Sequence, residues 1–439
     1  MKLKPSYYNH IEELDSGKTV LYNFLTGGLF ELHKKDINNI KTILDNPNQT
    51  YNQDLAHLKK MLKEKYFLIS DDCDEMDLIR YRNLSKRFNN QSGHLIIMPT
   101  MDCNFKCTYC YEAREKGFIT DNVKKGIRSW ISSMAKSCNS FSIGWFGGEP
   151  LLGFDTIEEI NSYAQEICEE NNCFFVSNIT TNGYLLDSEM LSKVNDLGLS
   201  SFQITVDGTP EFHNQKRPLL NGKPTFDVVF NNVLRILDET NANVMLRVNI
   251  DKKNVDSITD LMDMIPEKYR TSRLQIYFRY IFTGYAQSKE TSENIVNNRI
   301  SSHELVKDLY VYAIDNGFNV MFPMLLEKDS YCSTCLKNSF TIDPKGKIFK
   351  CTIDFGDEYS VGSITEDGTI NLDHMTHSRW YSHIPGSDPK CKECKFLPLC
   401  YGGCSYHRIN GKRACPYESF DLKGLLELQY LAVSHSQSI

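Results

Sequence analysis

Positive charge is in short supply in this chain. Its 439 residues carry 49 Lys and Arg against 56 Asp and Glu, a net charge of −7. That balance gives no electrostatic footprint for nucleic acid or for an anionic membrane surface. Long apolar runs are missing as well: no segment approaches the roughly 20 residues of a membrane span. The N-terminus shows no basic-then-apolar secretion signal. A cytoplasmic protein is therefore expected, with no nucleic-acid or membrane partner. The hydrophobic fraction of 41% and charged fraction of 24% are those of an ordinary globular protein. The length admits two or three domains with full cores. Against this background the 15 cysteines are the abundant feature. Disulfides do not suit a reducing compartment, so metal ligation is the better use for most of them.

Three cysteines form a tight set: Cys103, Cys107 and Cys110, spaced C-x3-C-x2-C just past the apolar run His94–Thr100. Three thiolates from one short loop can hold three irons of a 4Fe–4S cube and leave the fourth iron open to an amine and a carboxylate. Zinc is the alternative, but zinc loops usually show paired C-x2-C units and a fourth ligand close by, and neither is present. Eight more cysteines lie toward the C-terminus: Cys332, Cys335, Cys351, Cys391, Cys394, Cys400, Cys404 and Cys415. Cys73, Cys138, Cys168 and Cys173 show no ligand spacing and read as small buried thiols or surface bystanders.

Periodicity divides the chain into three domains. In residues 1–90, Tyr7–Ile11, Thr19–Phe24 and Leu29–Leu32 read as strands. Amphipathic helices follow near Lys35–Leu44 and Asn52–Lys65, then a short strand Phe67–Ile69 and a polar linker or connecting helix Arg80–Asn90. This order predicts a small winged-helix-like unit. Residues 91–324 alternate strands with helices. The strands are His94–Thr100, Phe141–Gly147, Phe174–Thr181, Phe202–Asp207, Val244–Ile250 and Leu274–Ile281; helices include Asn122–Ala135, Ile157–Glu169 and Ser188–Asp196. Such alternation implies parallel strands with crossover helices, an α/β partial (β/α)6 TIM-like barrel whose chemistry sits at the C-terminal strand ends. Residues 325–439 form the cysteine-rich remainder.

The cysteine loop, with Tyr109 before its third thiol, resembles the signature of radical S-adenosylmethionine (radical SAM) enzymes. Trp145-Phe-Gly-Gly-Glu-Pro150 resembles the family's GGEP motif, in which Gly147 and Gly148 let the backbone approach a ligand and Glu149 is an acceptor. Thr180-Thr-Asn-Gly183 and Thr205-Val-Asp-Gly208 resemble the T-N-G and S-x-D-G segments that line the cofactor, which implies contacts from Thr181, Asn182, Thr205 and Asp207. His213-Asn-Gln-Lys-Arg217 is similar to the H-D-x-x-R segment, with Asn214 in place of the acid; Arg217 could clamp a carboxylate or pair structurally with Asp207. Arg247-Val-Asn249 is compatible with cofactor contact. The resemblance implies reductive cleavage of S-adenosylmethionine to methionine and a 5′-deoxyadenosyl radical, which abstracts hydrogen from an unactivated carbon.

The C-terminal order, Cys332-x2-Cys335, Gly346-x4-Cys351, then Cys391-x2-Cys394-x5-Cys400-x3-Cys404-x10-Cys415, resembles the SPASM extension of such enzymes. Zinc ribbons remain the alternative for the C-x2-C pairs, although the x5 and x3 spacings are not those of paired knuckles. By resemblance, Cys332, Cys335, Cys351 and Cys404 hold one auxiliary 4Fe–4S cluster and Cys391, Cys394, Cys400 and Cys415 a second, so the cofactors are three clusters and S-adenosylmethionine. Sulfatase-maturating members carry an aspartate directly after the Gly-x4-Cys cysteine; here Thr352 stands there, and Asp354 is the candidate catalytic base. The N-terminal unit is similar in element order to the leader-recognition domain of peptide maturases. The resemblance thus implies a thioether-forming maturase of the sactipeptide or ranthipeptide type. Its partners would be a ribosomally made precursor peptide with a leader and a reductant such as ferredoxin or flavodoxin. Sulfatase-type oxidation of Cys or Ser and carbon–carbon crosslinking are the alternatives.

Overall fold

The computed structural model describes residues 2–111, 116–281, 299–322, 325, 332–413, 415 and 421–436. The chain forms two compact units. One comprises Met1–Phe88, Pro323–Cys335 and Tyr381–Ile439; the other comprises Asn89–Phe322 and Leu336–Trp380. Leu336–Trp380 thus clusters with the preceding α/β region and not with the final cysteines, whereas the sequence pattern suggests a single 325–439 domain.

In the first unit, β1 (Leu3–Pro5) pairs antiparallel with β5 (Leu68–Ser70), and β2 (Asn9–Glu13), β3 (Thr19–Asn23) and β4 (Leu29–Leu32) form a three-stranded antiparallel sheet. Helices α1 (Lys34–Asp45) and α2 (Gln53–Glu64) lie between β4 and β5 in sequence. They bury Ile40, Ile43 and Leu62 against Leu21, Phe67 and Leu68. The side chain of Asn52 caps α2 by accepting the Leu55 N–H at 3.1 Å. The 80–90 stretch is mostly helix: α3 (Glu75–Arg87) starts at Asp74, whose carboxylate accepts the Met76 N–H at 2.8 Å. The short C-terminal helices Pro389–Lys392, Leu397–Cys400 and Ser405–Ile409 and the longer Leu422–Ser436 complete this unit.

Among the described residues, the second unit is built on one sheet of eleven strands. Strands β6 (Ser92–Ile97), β7 (Ser140–Trp145), β8 (Phe174–Thr181), β9 (Leu199–Thr205), β10 (Asn243–Ile250) and β11 (Leu274–Tyr280) are parallel neighbours in sequence order. They are joined by α4 (Asp121–Ala135), α5 (Phe154–Glu170), α6 (Ser188–Lys193), α7 (Pro210–Lys216), α8 (Phe226–Glu239) and α9 (Ile258–Asp263). After a helix at Arg299–Asp315, a two-residue β12 (Asn319–Val320) extends the sheet beyond β11. On the other flank β13 (Ser339–Ile342) pairs parallel with β6. The short antiparallel strands β14 (Lys347–Phe349), β15 (Gly362–Ile364) and β16 (Ile370–Leu372) follow it. The result is an α/β fold with a partial, barrel-like sheet. Its central strands present an apolar row on one face: Phe202 and Ile204 of β9 and Val244, Leu246, Val248 and Ile250 of β10 are all buried, while Gln203 and Thr205 of β9 and Met245, Arg247 and Asn249 of β10 alternate with them on the opposite face.

Strand ends matter most for the site. The sequence expectation carries β6 to Thr100, β7 to Gly147 and β9 to Asp207, two or three residues past where their ladders stop. Pro99 offers no N–H to continue β6. The consequence is that the motif residues occupy loops just beyond the strands. No helix among the described residues is long and apolar enough to cross a membrane.

Candidate active site

The cysteine loop lies against the segment that follows α7. Phe105 bridges Leu219 antiparallel, Lys106 N–H donates to the Pro218 carbonyl at 2.8 Å, and Thr108 N–H donates to the Lys216 carbonyl at 2.9 Å. These bonds fix the backbone that presents the three thiols. Cys103, Cys107 and Cys110 are partly buried and lie within electrostatic reach of one another. Burial pushes the Cys103 thiol up to about 12. Among the described residues no three His, Cys, Asp or Glu side chains are placed to hold a metal ion.

Gly147 and Gly148 act on the protein's own backbone. A Cβ on Gly148 would stand 2.3 Å from the Asp102 carbonyl oxygen and 2.5 Å from that of Met101. One on Gly147, whose φ is +110°, would stand 2.4 Å from the Thr100 carbonyl oxygen. The glycines therefore let the turn after β7 press against the start of the cysteine loop, where the sequence alone suggests that they approach a ligand. The bonds Gly148 N–H to Thr100 O (3.2 Å) and Glu149 N–H to Asp102 O (2.8 Å) close that contact.

Glu149 is fully buried and ties this turn to the next strand. Its Oε1 accepts the Leu151 N–H at 2.9 Å and the Thr181 hydroxyl at 2.6 Å, and its Oε2 accepts the Asn182 N–H at 2.7 Å. Burial raises its carboxyl above the ordinary value, against the pull of those three donors. From the same strand end, Asn182 Nδ2 donates to Asn104 Oδ1 at 2.7 Å and lies 4.0 Å from Cys103 Sγ. The GGEP turn, the T-N-G turn and the first thiol are thus one bonded assembly.

The second assembly centres on Tyr109. Its hydroxyl donates to Asp207 Oδ2 and accepts from Arg217 Nη1 at 2.7 Å and from Asn249 Nδ2 at 3.0 Å. Asp207 Oδ1 accepts the Asn249 N–H at 2.9 Å. Asp207 and Arg217 are therefore joined through a phenol that sits between two of the cysteines. Arg217 also stacks over Phe105 of the loop, 5.7 Å from the ring centre. His213, fully buried and held well below its usual basicity by burial and two neighbouring cations, is neutral. Its Nδ1 accepts the Asp207 N–H at 3.2 Å and its Nε2 meets Thr225 Oγ1 at 3.1 Å. The Thr225 hydroxyl in turn donates to the Arg217 carbonyl at 2.7 Å. Asn254, fully buried, donates to the carbonyls of Asp207 and Asn249 at 3.1 and 2.8 Å. Sequence reasoning misses Asn104 and Asn254; Asn104 could be noticed as the polar neighbour of the first thiol, whereas nothing in the pattern marks Asn254.

Two buried donors in this region have no partner: Arg217 Nε and Asn104 Nδ2. A carboxylate-bearing polar ligand beside the thiols would satisfy them, so the donor set fits S-adenosylmethionine together with an iron–sulfur cube on Cys103, Cys107 and Cys110. Thr205 is buried in the sheet opposite Arg247. In the same unit, the Tyr111 hydroxyl donates to the Thr352 carbonyl at 3.2 Å, which brings the segment after Cys351 beside the end of the cysteine loop. Asp354 is half-buried and accepts the Gly356 N–H at 3.1 Å.

Seven of the eight C-terminal cysteines fall within the other unit. Cys400 lies within electrostatic reach of Cys391, Cys394 and Cys415, and Arg408 Nη2 donates to Cys391 Sγ at 3.4 Å. Cys404 is close to Cys332 and Cys335 in the same sense. Cys351 belongs to the sheet-bearing unit.

Residues 97–265 match the family model of the Radical SAM superfamily. A cysteine-type anaerobic sulfatase-maturating enzyme from Clostridium novyi is 24% identical over 387 residues, covering 78% of this chain and 98% of that protein. The radical SAM cyclopropyl synthase TigE from Paramaledivibacter caminithermalis is 24% identical over 458 residues, covering 92% and 89%. Among solved structures, native anSMEcpe with bound AdoMet aligns at TM-score 0.58 and 19% identity over 79% of this chain and 97% of that one. Streptococcus suis SuiB aligns at TM-score 0.53 and 17% identity over 93% and 96%.

Proposed function

We propose that this protein is a radical SAM peptide maturase that crosslinks a ribosomally made precursor peptide, with a cysteine thioether as the bond it forms. The observation that carries the reading is the pair of assemblies around the cysteine loop. They attach Cys103 and Tyr109 to the ends of β7, β8, β9 and β10, which is where a parallel-sheet enzyme keeps its chemistry. With a 4Fe–4S cluster on Cys103, Cys107 and Cys110 and S-adenosylmethionine in place, the chemistry supplied is hydrogen abstraction from an unactivated carbon. The chain's own residues orient and enclose. Glu149 holds Asn182 toward Cys103, and Tyr109 keeps the Arg217 guanidinium at the loop, where its free Nε can meet a carboxylate.

Two further features support a peptide as the substrate. The likeness to SuiB, which has been solved bound to its precursor peptide SuiA, extends over 93% of this chain, against 79% for anSMEcpe. In addition, β2 and β4 form the two edges of the three-stranded N-terminal sheet, an arrangement to which a leader peptide could add as a strand. In this reading residues 1–90 recognise the leader, 91–324 carry out the radical step and 325–439 hold two auxiliary clusters. Cys332, Cys335, Cys351 and Cys404 ligate one, Cys391, Cys394, Cys400 and Cys415 the other. A ferredoxin or flavodoxin is the electron donor.

The test is anaerobic incubation of the reconstituted protein with S-adenosylmethionine, dithionite and any short cysteine-bearing peptide found encoded beside its gene. Formation of 5′-deoxyadenosine and a peptide lighter by two hydrogens is expected. Formation of 5′-deoxyadenosine with the peptide unchanged would overturn the maturase assignment. One observation favours a second reading, sulfatase-type oxidation: Tyr111 brings the Thr352 segment, and with it Asp354, to the cysteine loop. That reading requires Asp354→Ala to abolish turnover and removal of residues 1–90 to be tolerated.

A further inference from the structure

The first unit contains a small cavity lined by Asn83, Arg87, Cys335, His383, Tyr401 and Ser405, among others. Arg87, the last residue of α3, is 3% exposed. Its Nη1 donates to the His383 carbonyl at 2.7 Å and toward Asn83 Oδ1 at 3.4 Å, and its Nη2 donates to the Tyr381 carbonyl at 2.9 Å. The guanidinium also sits 5.6 Å from the centre of the Tyr381 ring. Its Nε has no partner, nor does Nε2 of His383. Among the described residues no carboxylate pairs with Arg87. A guanidinium stays charged at any pH a protein survives, and a buried charge without a counter-ion is strongly unfavourable. The cavity therefore contains a fixed positive charge and two idle nitrogens, with Cys335 Sγ in its wall 3.1 Å from Ser405 Oγ.

We propose that Arg87 is the counter-ion of the iron–sulfur cluster ligated by Cys335, and that its charge sets that cluster's reduction potential. This rests on the reading above that Cys332, Cys335 and Cys404 ligate a cluster. A cluster bound by thiolates is net negative, and one-electron reduction makes it more so. A fixed cation beside it stabilises the reduced form and raises the potential, one of the means by which proteins tune such centres. Arg87 is a positioning and tuning residue, and it comes from the N-terminal region, whose last helix thereby reaches a redox centre.

The experiment is an EPR-monitored redox titration of the fully reconstituted chain, with iron content and far-UV circular dichroism as controls. Cys335→Ala identifies the cluster by the iron and signal it removes. Arg87→Gln is expected to shift that signal's midpoint to more negative potential, while Arg87→Lys, which retains the charge, stays closer to the wild type. Asn83→Asp leaves the guanidinium and its carbonyl contacts in place but supplies a carboxylate beside it. It should shift the midpoint in the same direction, and it decides the matter if Arg87→Gln does not fold. If Cys335→Ala removes a cluster yet Asn83→Asp leaves its midpoint unchanged, the proposal is wrong while the cluster assignment stands. If Cys335→Ala retains all the iron, both fall.

Discussion

The side-chain oxygen of Asn214 accepts the backbone N–H of Thr225 at 2.8 Å and that of Phe226 at 2.9 Å, capping α8 from another helix. Thr225 is the N-cap residue of α8 but contributes no side-chain cap. This gives a physical role to the position where the resembled segment carries an acid: an amide oxygen accepts the same two hydrogen bonds, without the charge that favours a helix N-terminus. Asn214→Ala should destabilise the protein by about 1 kcal/mol. Asn214→Asp should be neutral or raise stability by roughly 0.3–1 kcal/mol at neutral pH. Thermal melts of the three proteins at pH 7 check both; an alanine variant melting with the wild type would show the cap to be idle.

Tyr109 offers a sharper contrast. Its hydroxyl is shared by Asp207, Arg217 and Asn249, all buried. Tyr109→Phe keeps the ring and strands these three groups, at a cost of roughly 1–3 kcal/mol. If the hub positions the loop for chemistry, 5′-deoxyadenosine formation should fall further than stability does, with the iron content of the Cys103 cluster retained. Equal losses in Tyr109→Phe and in an unrelated core variant of matched stability would reduce the hub to a packing element.

These cases show where the sequence is legible and where it is not. The strands β8, β10 and β11 can be read almost residue for residue, because β-branched and aromatic residues recur along each of them. The ends of β6, β7 and β9 cannot, since ladder termination depends on what the neighbouring strand offers. The cysteine and glycine motifs give the site's membership. The bonds within it are not readable: that Asp207 and Arg217 meet through Tyr109, and that Glu149 serves Thr181 and Asn182, are consequences of how loops from different strands meet. Arg87 reads only as part of a polar linker; its burial depends on residues some 300 positions away in sequence.

Gly148 tests the packing of the turn after β7 against the cysteine loop. Because the obstructing atoms are backbone oxygens of Met101 and Asp102, no side-chain rotation can relieve a methyl group there. Gly148→Ala should therefore destabilise by about 3 kcal/mol or more, toward the upper end of overpacking costs, and displace the loop that presents Cys103. Gly222, whose φ is +81° with nothing within 4 Å of an added Cβ, is the control: Gly222→Ala should cost only about 1–2 kcal/mol of backbone strain. Denaturant melts of both variants, with iron content after reconstitution, separate the two. A Gly148→Ala protein as stable as Gly222→Ala, with a full complement of iron, would mean that the contact yields.

Acid should weaken the fold through His94 on β6. Its Nδ1 meets Ser142 Oγ at 2.8 Å, and burial, with the Lys350 ammonium contributing, lowers its basicity from 6.5 to about 4. Above pH 6.5 the ring is neutral in both folded and unfolded chains and makes no contribution. Between pH 6.5 and 4 the unfolded chain takes up a proton that the folded chain refuses, so stability declines as pH falls through that window. The decline attributable to this residue is roughly 1–2 kcal/mol at pH 5, allowing for its partial exposure. His94→Gln keeps a hydrogen-bonding partner for Ser142 and removes the titration. The difference in unfolding free energy between pH 7 and pH 5, measured by urea melts, should be smaller in the variant by that amount. An identical difference in the two proteins would mean that His94 takes up its proton in the folded state as readily as in the unfolded chain.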